Sequence, residues 1–499
     1  MTSHVASRYN FAFYAGIDCA LYNARTGTIL RVRGDVTSLV AGLLVSGKEI
    51  SSSELPEGVE GLLVAGGFLI SPDFDELAAI RRRYWSARQD APAVLTITTT
   101  LECNLACYYC YEERQESRLA PYDVPAVVMQ ARRAIGSERR PLHVCWYGGE
   151  PMLNLDFLES ASLPLQRLAS ELGVKYSASI LSNGTGWPDD AGAFVRRHSI
   201  RQVQISFDGL AENHNRRRHE RGGARRNTFA EASALVDRLM NHVRVDLRFN
   251  CDRANSNDLL GFIEYARGRG WFGGSHPAVL QPARVDAFSE RVGFLRKHVI
   301  KGQEFDLLRS RARNALAGEG RVDEAELPSG RPLPRNSVCA ALGPHSTVLG
   351  SDRRLYRCGL QVSEPHRATG RLTSGHGLPI VSNPDDAGWW AEFDPTRQPA
   401  CSRCSFLPIC WGGCPKKHLD GDRAALDEQG AYWRRNLGRH VLSAVGLDAS
   451  HCSAPLDLTS QFRGDTGGFS GLVESKLPIS SSAGPDLSLS CFGPTHAAR

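Results

Sequence analysis

Cys103, Cys107 and Cys110 stand at C-x3-C-x2-C spacing within Leu101–Glu113, LECNLACYYCYEE. Thiolates this close on one loop can converge on a single metal centre. Four cysteines close an iron–sulfur cube, whereas three leave one iron uncapped. An uncapped iron can take a substrate or cofactor, as a catalytic zinc keeps a position for water. A zinc loop competes on spacing, but zinc motifs favour paired C-x2–4-C elements with a fourth ligand, and none lies nearby. A second cysteine field follows: Cys339, Cys358, and then Cys401, Cys404, Cys410 and Cys414 in CSRCSFLPICWGGC. Four cysteines this close, with Gly412 and Gly413 between them, are a metal signal for which a zinc knot is the main rival.

The elements around these residues alternate. Strands are expected at Val94–Thr99, Leu142–Trp146, Lys175–Leu181, Gln202–Phe207, Val243–Phe249 and Ala278–Gln281. Helices are expected between them at Pro125–Ile135, Leu155–Leu172, Ala191–His198, Phe229–Asn241 and Asn257–Gly268. Repeated β and α units imply an α/β fold with parallel strands and right-handed crossovers. Chemistry then gathers at the carboxyl ends of the strands. The cysteine loop sits at the first such end, and Tyr147-Gly148-Gly149-Glu150-Pro151 at the second. Its two glycines allow close backbone approach to a ligand. Ser182-Asn183-Gly184-Thr185 ends the third strand, and Ser206-Phe207-Asp208-Gly209 the fourth, followed by His214–Arg218. Singly, each of these polar segments reads as a cap or turn. Arg248 and Asn250 end the fifth strand and can face the same cavity, whereas Cys19, Cys145 and Cys251 read as structural.

The chain divides into residues 1–88, a small α+β module; 93–330, the repeated units; 335–450, the cysteine field; and 453–499, a Ser/Gly/Pro-rich tail expected to be disordered. Within the first part, strands are expected at Phe11–Tyr14, Cys19–Tyr22, Ile29–Val32 and Phe68–Ile70, with helices at Thr37–Leu44, Glu57–Ala65 and Asp75–Arg88. Charged helical sequence spans Phe294–Gly320, and Pro415–His418 and Tyr432–Val445 read as closing helices.

A net charge of +5 over 499 residues is too diluted to single out a nucleic-acid partner. Basic residues concentrate in Arg216–Arg226, which reads as a solvated face or as a docking surface for a carboxylate. Met1–Asn10 lacks a secretory pattern and no apolar run reaches a membrane span, so a cytoplasmic protein is expected, its 14 cysteines being metal ligands more than disulfides.

The loop from Cys103 to Cys110, with Tyr109 as the aromatic, resembles the C-x3-C-x-aromatic-C signature of radical S-adenosylmethionine (radical SAM) enzymes. That resemblance implies a partial (β/α)6 barrel and a [4Fe–4S] cluster whose open iron chelates S-adenosylmethionine. Reductive cleavage would then release a 5′-deoxyadenosyl radical. It further implies that Gly148, Gly149 and Glu150 contact the cofactor's amino group. Ser182, Asn183, Ser206 and Asp208 would lie near its ribose or carboxylate, and Tyr109 can stack on adenine. One arginine among Arg216–Arg218 would clamp the carboxylate.

The later cysteines resemble a SPASM domain, which implies auxiliary [4Fe–4S] clusters on Cys339, Cys358 and Cys414 and on Cys401, Cys404 and Cys410. The pattern departs from that family at Arg353, where glycine is usual, and in lacking a final cysteine within Ala431–Asn436; His345, Cys452 or a substrate would complete the clusters. Sulfatase-maturing relatives place a proton-accepting aspartate where this chain has Gly359. The resemblance implies a winged-helix-like N-terminal module holding a precursor peptide by β-addition. It points to a maturase that forms a crosslink or other oxidised product on a ribosomally made peptide, with an auxiliary cluster taking the surplus electron and flavodoxin or ferredoxin as donor. Sulfatase maturation and a non-catalytic metal-stabilised binding protein are the alternatives.

Overall fold

The computed structural model describes residues 3–33, 42, 44, 49–55, 58–222, 226–316, 321–322, 331–373, 380–381, 383–447, 449 and 472–473. The expected helix Thr37–Leu44 falls almost wholly outside them, as does the tail apart from Leu472–Val473.

The N-terminal part opens with β1 (Ser3–Ala6), followed by β2 (Asn10–Ala15), β3 (Asp18–Asn23) and β4 (Thr28–Val32) as an antiparallel meander. Asn23 holds its turns: one side-chain amide donates to Asn10 Oδ1 at 2.8 Å and to the Gly67 carbonyl at 2.9 Å. β5 (Glu49–Ser51) and β6 (Leu69–Ile70) flank β1 in a second small sheet. Helices Val59–Ala65 and Glu76–Gln89 complete this part.

From residue 93 the alternation holds. β7 (Ala93–Thr100), β8 (Leu142–Gly148), β9 (Tyr176–Ser182), β10 (Ile200–Phe207), β11 (Arg244–Cys251) and β12 (Val279–Arg284) lie in that spatial order, all parallel. Helices Val124–Ile135, Leu155–Glu171, Ala191–Arg197, Thr228–Leu239 and Asp258–Gly268 cross between them. Ala93, Leu95, Ile97, Val144 and Trp146 join the core under these helices. The residues between them face inward and are largely polar. His143 contacts the hydroxyls of Ser177 and Ser179, and Asp246 accepts from Gln202, Gln281 and Arg244. Helix Ala211–Arg217, not anticipated as a helix, follows β10.

β13 (Arg321–Val322) closes one edge of the sheet. At the other edge β14 (Ser346–Leu349) pairs parallel to β7, and β15 (Arg354–Tyr356), β16 (Gly370–Arg371) and β17 (Ile380–Val381) continue antiparallel. Helix Pro415–Leu419 and the long helix Arg423–Ala444 finish the cysteine field. The second begins nine residues before the expected Tyr432. The described strand β18 (Leu472–Val473) pairs with the outer edge of β4.

The two ends of the chain share one core. Phe11, Tyr22, Tyr84, Phe406, Trp411 and Trp433 belong to a single buried cluster. The rings of Phe11 and Phe406 lie 5.1 Å apart, and those of Tyr84 and Trp411 5.3 Å apart. Helix Glu76–Gln89 is bolted to the far end of the sequence: Arg88 Nη1 and Tyr84 OH donate to the Phe393 carbonyl at 2.8 and 2.7 Å. The cysteine-rich segment thus shares one core with the N-terminal hairpin. No described helix is long and apolar enough to cross a membrane.

Candidate active site

A cavity opens at the carboxyl ends of β7–β12, with about 890 Å³ of free space counting the part open to solvent. Cys103, Cys107 and Cys110 all line it, with Tyr109, Gly148, Gly149, Ser182, Asn183 and Ser206. The remaining expected site residues, Glu150 and Asp208, are fully buried behind this lining.

Their burial has a structural cause. The cysteine loop, the Gly-Gly-Glu turn and the Ser-Asn-Gly turn are knitted together at their backs. Gly149 N donates to the Thr100 carbonyl at 3.0 Å and Glu150 N to the Glu102 carbonyl at 2.9 Å. A Cβ on Gly148 would lie 2.2 Å from the Thr100 carbonyl oxygen, and one on Gly149 2.2 Å from that of Glu102. Glycine is therefore required here by the crossing of two loops. The Glu150 carboxylate accepts from Asn183 N at 2.6 Å, Met152 N at 3.1 Å and Ser182 Oγ at 3.0 Å, while burial pushes its pKa up to about 7. Asn183 Nδ2 reaches Asn104 Oδ1 at 2.8 Å and Cys103 Sγ at 3.7 Å.

The basic loop splits in two. Arg216 and Arg226 are exposed, as a solvated face requires. Arg217 and Arg218 are buried. Arg217 Nε pairs with Asp208 Oδ2 at 3.0 Å and its Nη1 with Asp252 Oδ2 at 2.9 Å. Arg218 faces the cavity; Cys107 and Cys103 are among its electrostatic partners, and its Nε is buried with no hydrogen-bond partner. Of the three expected candidates, Arg218 is the one positioned to meet an anion beside the cysteines. The loop also clamps the cysteine segment: Ala106 N donates to the His219 carbonyl at 2.8 Å and Arg221 N to that of Asn104 at 2.9 Å.

Tyr109 presents its ring to the cavity, while its hydroxyl is committed. It donates to Asp208 Oδ1 at 2.7 Å and accepts from Arg218 Nη1 at 2.7 Å. Arg248 and Asn250 face the cavity as expected. Sequence reasoning missed Glu112, Tyr111 and Tyr147. The Tyr111 and Tyr147 hydroxyls lie 2.6 Å apart, and Tyr147 hydrogen-bonds buried Glu112, whose pKa burial pushes up to about 7. Only the inward position of Tyr147, one strand residue before Gly148, hinted at this group.

The donor set fits an iron–sulfur cluster. Burial holds Cys103 and Cys110 near a pKa of about 12 and raises Cys107 too, so these groups stay thiols until a cation's charge deprotonates them. Among the described residues no three His, Cys, Asp or Glu side chains close on a single metal ion. A four-iron cube takes each of its thiolates on a different iron.

In the C-terminal field the cysteines fall into two electrostatically coupled sets. Cys358 senses Cys414 and Cys339, while Cys401 senses Cys410 and Cys404. Cys339, Cys358 and Cys414 each precede the first turn of a short helix. Left-handed Trp411, Gly412 and Gly413 turn the chain between Cys410 and Cys414. His345 faces Arg140, Glu138 and Arg357 rather than either set, and Cys452 lies outside the described residues.

Residues 97–266 match the family model of the radical SAM superfamily. The chain is 27% identical over 327 residues to the serine-type anaerobic sulfatase-maturating enzyme of Klebsiella aerogenes, covering 64% of this chain and 78% of that protein. It is 24% identical over 335 residues to mycofactocin maturase MftC of Mycobacterium ulcerans, covering 65% and 83%. The solved structure of native anSMEcpe with bound AdoMet superposes with a TM-score of 0.55 at 16% identity, covering 72% of this chain and 100% of that one, a likeness of fold. The three-cysteine loop and the Gly-Gly-Glu turn, which the parallel strands bring to one cavity, both fall within the segment that matches the radical SAM superfamily.

Proposed function

We propose that the chain is a radical SAM maturase that modifies a residue of a ribosomally made precursor peptide, leaving a crosslink or another oxidised product. The observation that carries this reading is the convergence of Cys103, Cys107, Cys110 and Arg218 on one cavity at the carboxyl ends of the parallel strands. Cys103, Cys107 and Cys110 would hold a [4Fe–4S] cluster and Arg218 the carboxylate of S-adenosylmethionine. Bound together, these groups would supply the radical chemistry needed to take hydrogen from an unactivated carbon.

The protein's own part is positioning and exclusion of water. Gly148 and Gly149 keep the floor low, Glu150 and Asp208 hold the lining from behind, and Ser182, Asn183 and Ser206 offer hydrogen bonds to ribose or carboxylate. Cys339, Cys358 and Cys414, and separately Cys401, Cys404 and Cys410, would hold auxiliary clusters in a SPASM-like domain, and their pairwise coupling supports that division. The antiparallel N-terminal meander, with a helix and a second sheet beside it, suits a winged-helix-like module that takes a peptide along a strand edge. A reducing cytoplasm and a flavodoxin or ferredoxin donor complete the reading.

Resemblance to the sulfatase-maturating enzyme favours a second reading, oxidation of Cys or Ser in a protein. Gly359 weighs against it, since no carboxylate follows Cys358. Anaerobically reconstituted protein given S-adenosylmethionine and a reductant should release 5′-deoxyadenosine, and Cys107→Ala should not. Co-expression with short peptides and with a sulfatase then separates the two readings by which partner changes mass.

A further inference from the structure

Among the described residues no acid pairs with Arg248, a buried cation in the cavity wall. It ends inside the cavity on β11, and only 5% of its surface is exposed. Nε donates to Asn250 Oδ1 at 3.0 Å, while Nη1 is buried without a hydrogen-bond partner. Its strongest electrostatic neighbours are Tyr111, Tyr109, Tyr147 and Cys251, which are neutral at ordinary pH, and burial lowers its pKa. Taking a guanidinium out of water without a counter-charge is costly. The same wall shows the usual solution twice: Arg217 is matched by Asp208 and Asp252, and Arg218 by Asp208. Arg248 has no such match among the described residues.

The cofactor's carboxylate does not fill this gap as well as it fills the one at Arg218. Arg218 is coupled to Cys107 and Cys103, whereas Arg248 has neither cysteine among its strongest partners. The two cations are separated by a hydrogen-bonded pair. Tyr109 OH takes Arg218 Nη1 at 2.7 Å and Asn250 Nδ2 at 3.3 Å, and Asn250 Oδ1 takes Arg248 Nε. The cavity therefore has two positive poles, one at the cysteines and one beyond Tyr109. The cavity lining also includes the Gln204 amide and Arg284, a guanidinium already partly answered by Asp286 at 3.3 Å. Phe288 supplies an apolar side, with Lys417 from the cysteine field 5.6 Å from its ring centre.

We propose that Arg248 anchors a carboxylate of the peptide substrate, so that the substrate class is a peptide with an acidic side chain or a free C-terminus close to the residue that is modified. A planar guanidinium with a free Nη1 edge is built for such a charge-assisted contact. The assignment rests on the maturase reading above and narrows it.

The test uses the full chain, reconstituted anaerobically and saturated with S-adenosylmethionine. Binding is measured calorimetrically for two pairs of N-acetylated tripeptides: Gly-Asp-Gly amide against Gly-Asn-Gly amide, and Gly-Ala-Gly free acid against its amide. The wild type should favour the acid member of at least one pair by about tenfold, the size of a charge-assisted contact. The pair that discriminates identifies the source of the carboxylate. Arg248→Gln should erase the preference and Arg248→Lys should keep part of it. Equal binding of acid and amide by the wild type overturns the proposal, and that comparison needs no variant to fold. A preference that survives in Arg248→Gln overturns it too. Failure of the wild type to release 5′-deoxyadenosine would instead defeat the maturase reading, and is read separately from these binding data.

Discussion

The Glu150 carboxylate accepts the backbone amide of Asn183 at 2.6 Å, tying the turn after the second barrel strand to the turn after the third. Burial raises this group from 4.5 to about 7. Since the folded value exceeds the unfolded one, its contribution to stability is complete below pH 4.5 and is lost as pH rises through about 7. The slope is at most about 1.4 kcal/mol per pH unit over that window. The metal-free wild type should therefore lose more melting temperature between about pH 5 and pH 7.5 than Glu150→Gln, in which this group no longer titrates. Thermal melts at both pH values check it, and equal losses would refute the assignment.

Gly148→Ala and Gly149→Ala each force a Cβ to 2.2 Å from a carbonyl oxygen of the cysteine loop. Neither oxygen can retreat without moving the ligand segment. Both variants should lose about 2–4 kcal/mol of stability and bind less iron on reconstitution, whereas Gly173→Ala, with open space around it, should show only the smaller strain of its positive φ. Denaturant melts and iron assays on all three variants provide the comparison.

Adjacent arginines should fail differently. Arg217→Ala leaves Asp208 and Asp252 as buried carboxylates short of a partner, a loss of about 3–5 kcal/mol. Arg218→Ala leaves Asp208 still paired with Arg217, so stability should fall less while affinity for S-adenosylmethionine drops about tenfold or more. Melting curves paired with cofactor titrations separate the two outcomes.

Removing one thiol from each cysteine set should remove iron in separate portions. Cys107→Ala, Cys358→Ala and Cys410→Ala are each expected to lower iron by about four atoms per chain. Loss of 5′-deoxyadenosine release is expected of Cys107→Ala, because of the three thiols only that of Cys107 lines the cavity with Arg218. Iron and sulfide assays with electron paramagnetic resonance test whether the losses add. A variant of Cys358 that also emptied the Cys401 set would merge the two groups.

The barrel was legible because each parallel strand leaves a short apolar run bounded by turn residues, and the six observed strands begin and end within three residues of those expected. The cysteines and the Gly-Gly-Glu turn were legible because their chemistry lies in local spacing. The choice among Arg216, Arg217 and Arg218 was not, because neighbours on a short helix point in different directions and only the acids at 208 and 252 decide which is consumed. Glu112 was missed for the same reason: it lies in the cysteine loop, while its partner Tyr147 lies on β8. Local spacing also hides that the Glu150 carboxylate is already bonded to Asn183, Ser182 and Met152, and so bears on the cavity through the turns it holds.

The bond from Arg8 to the Ser402 carbonyl joins positions 394 apart. At about 5–20 residues per second, a ribosome needs roughly 20–80 s to make the stretch between them. Through that interval Phe11 lacks the ring of Phe406, and the cluster holding Phe11 and Tyr22 has only its N-terminal members. The buried cluster that holds the hairpin is therefore completed only once the last third of the chain has been made.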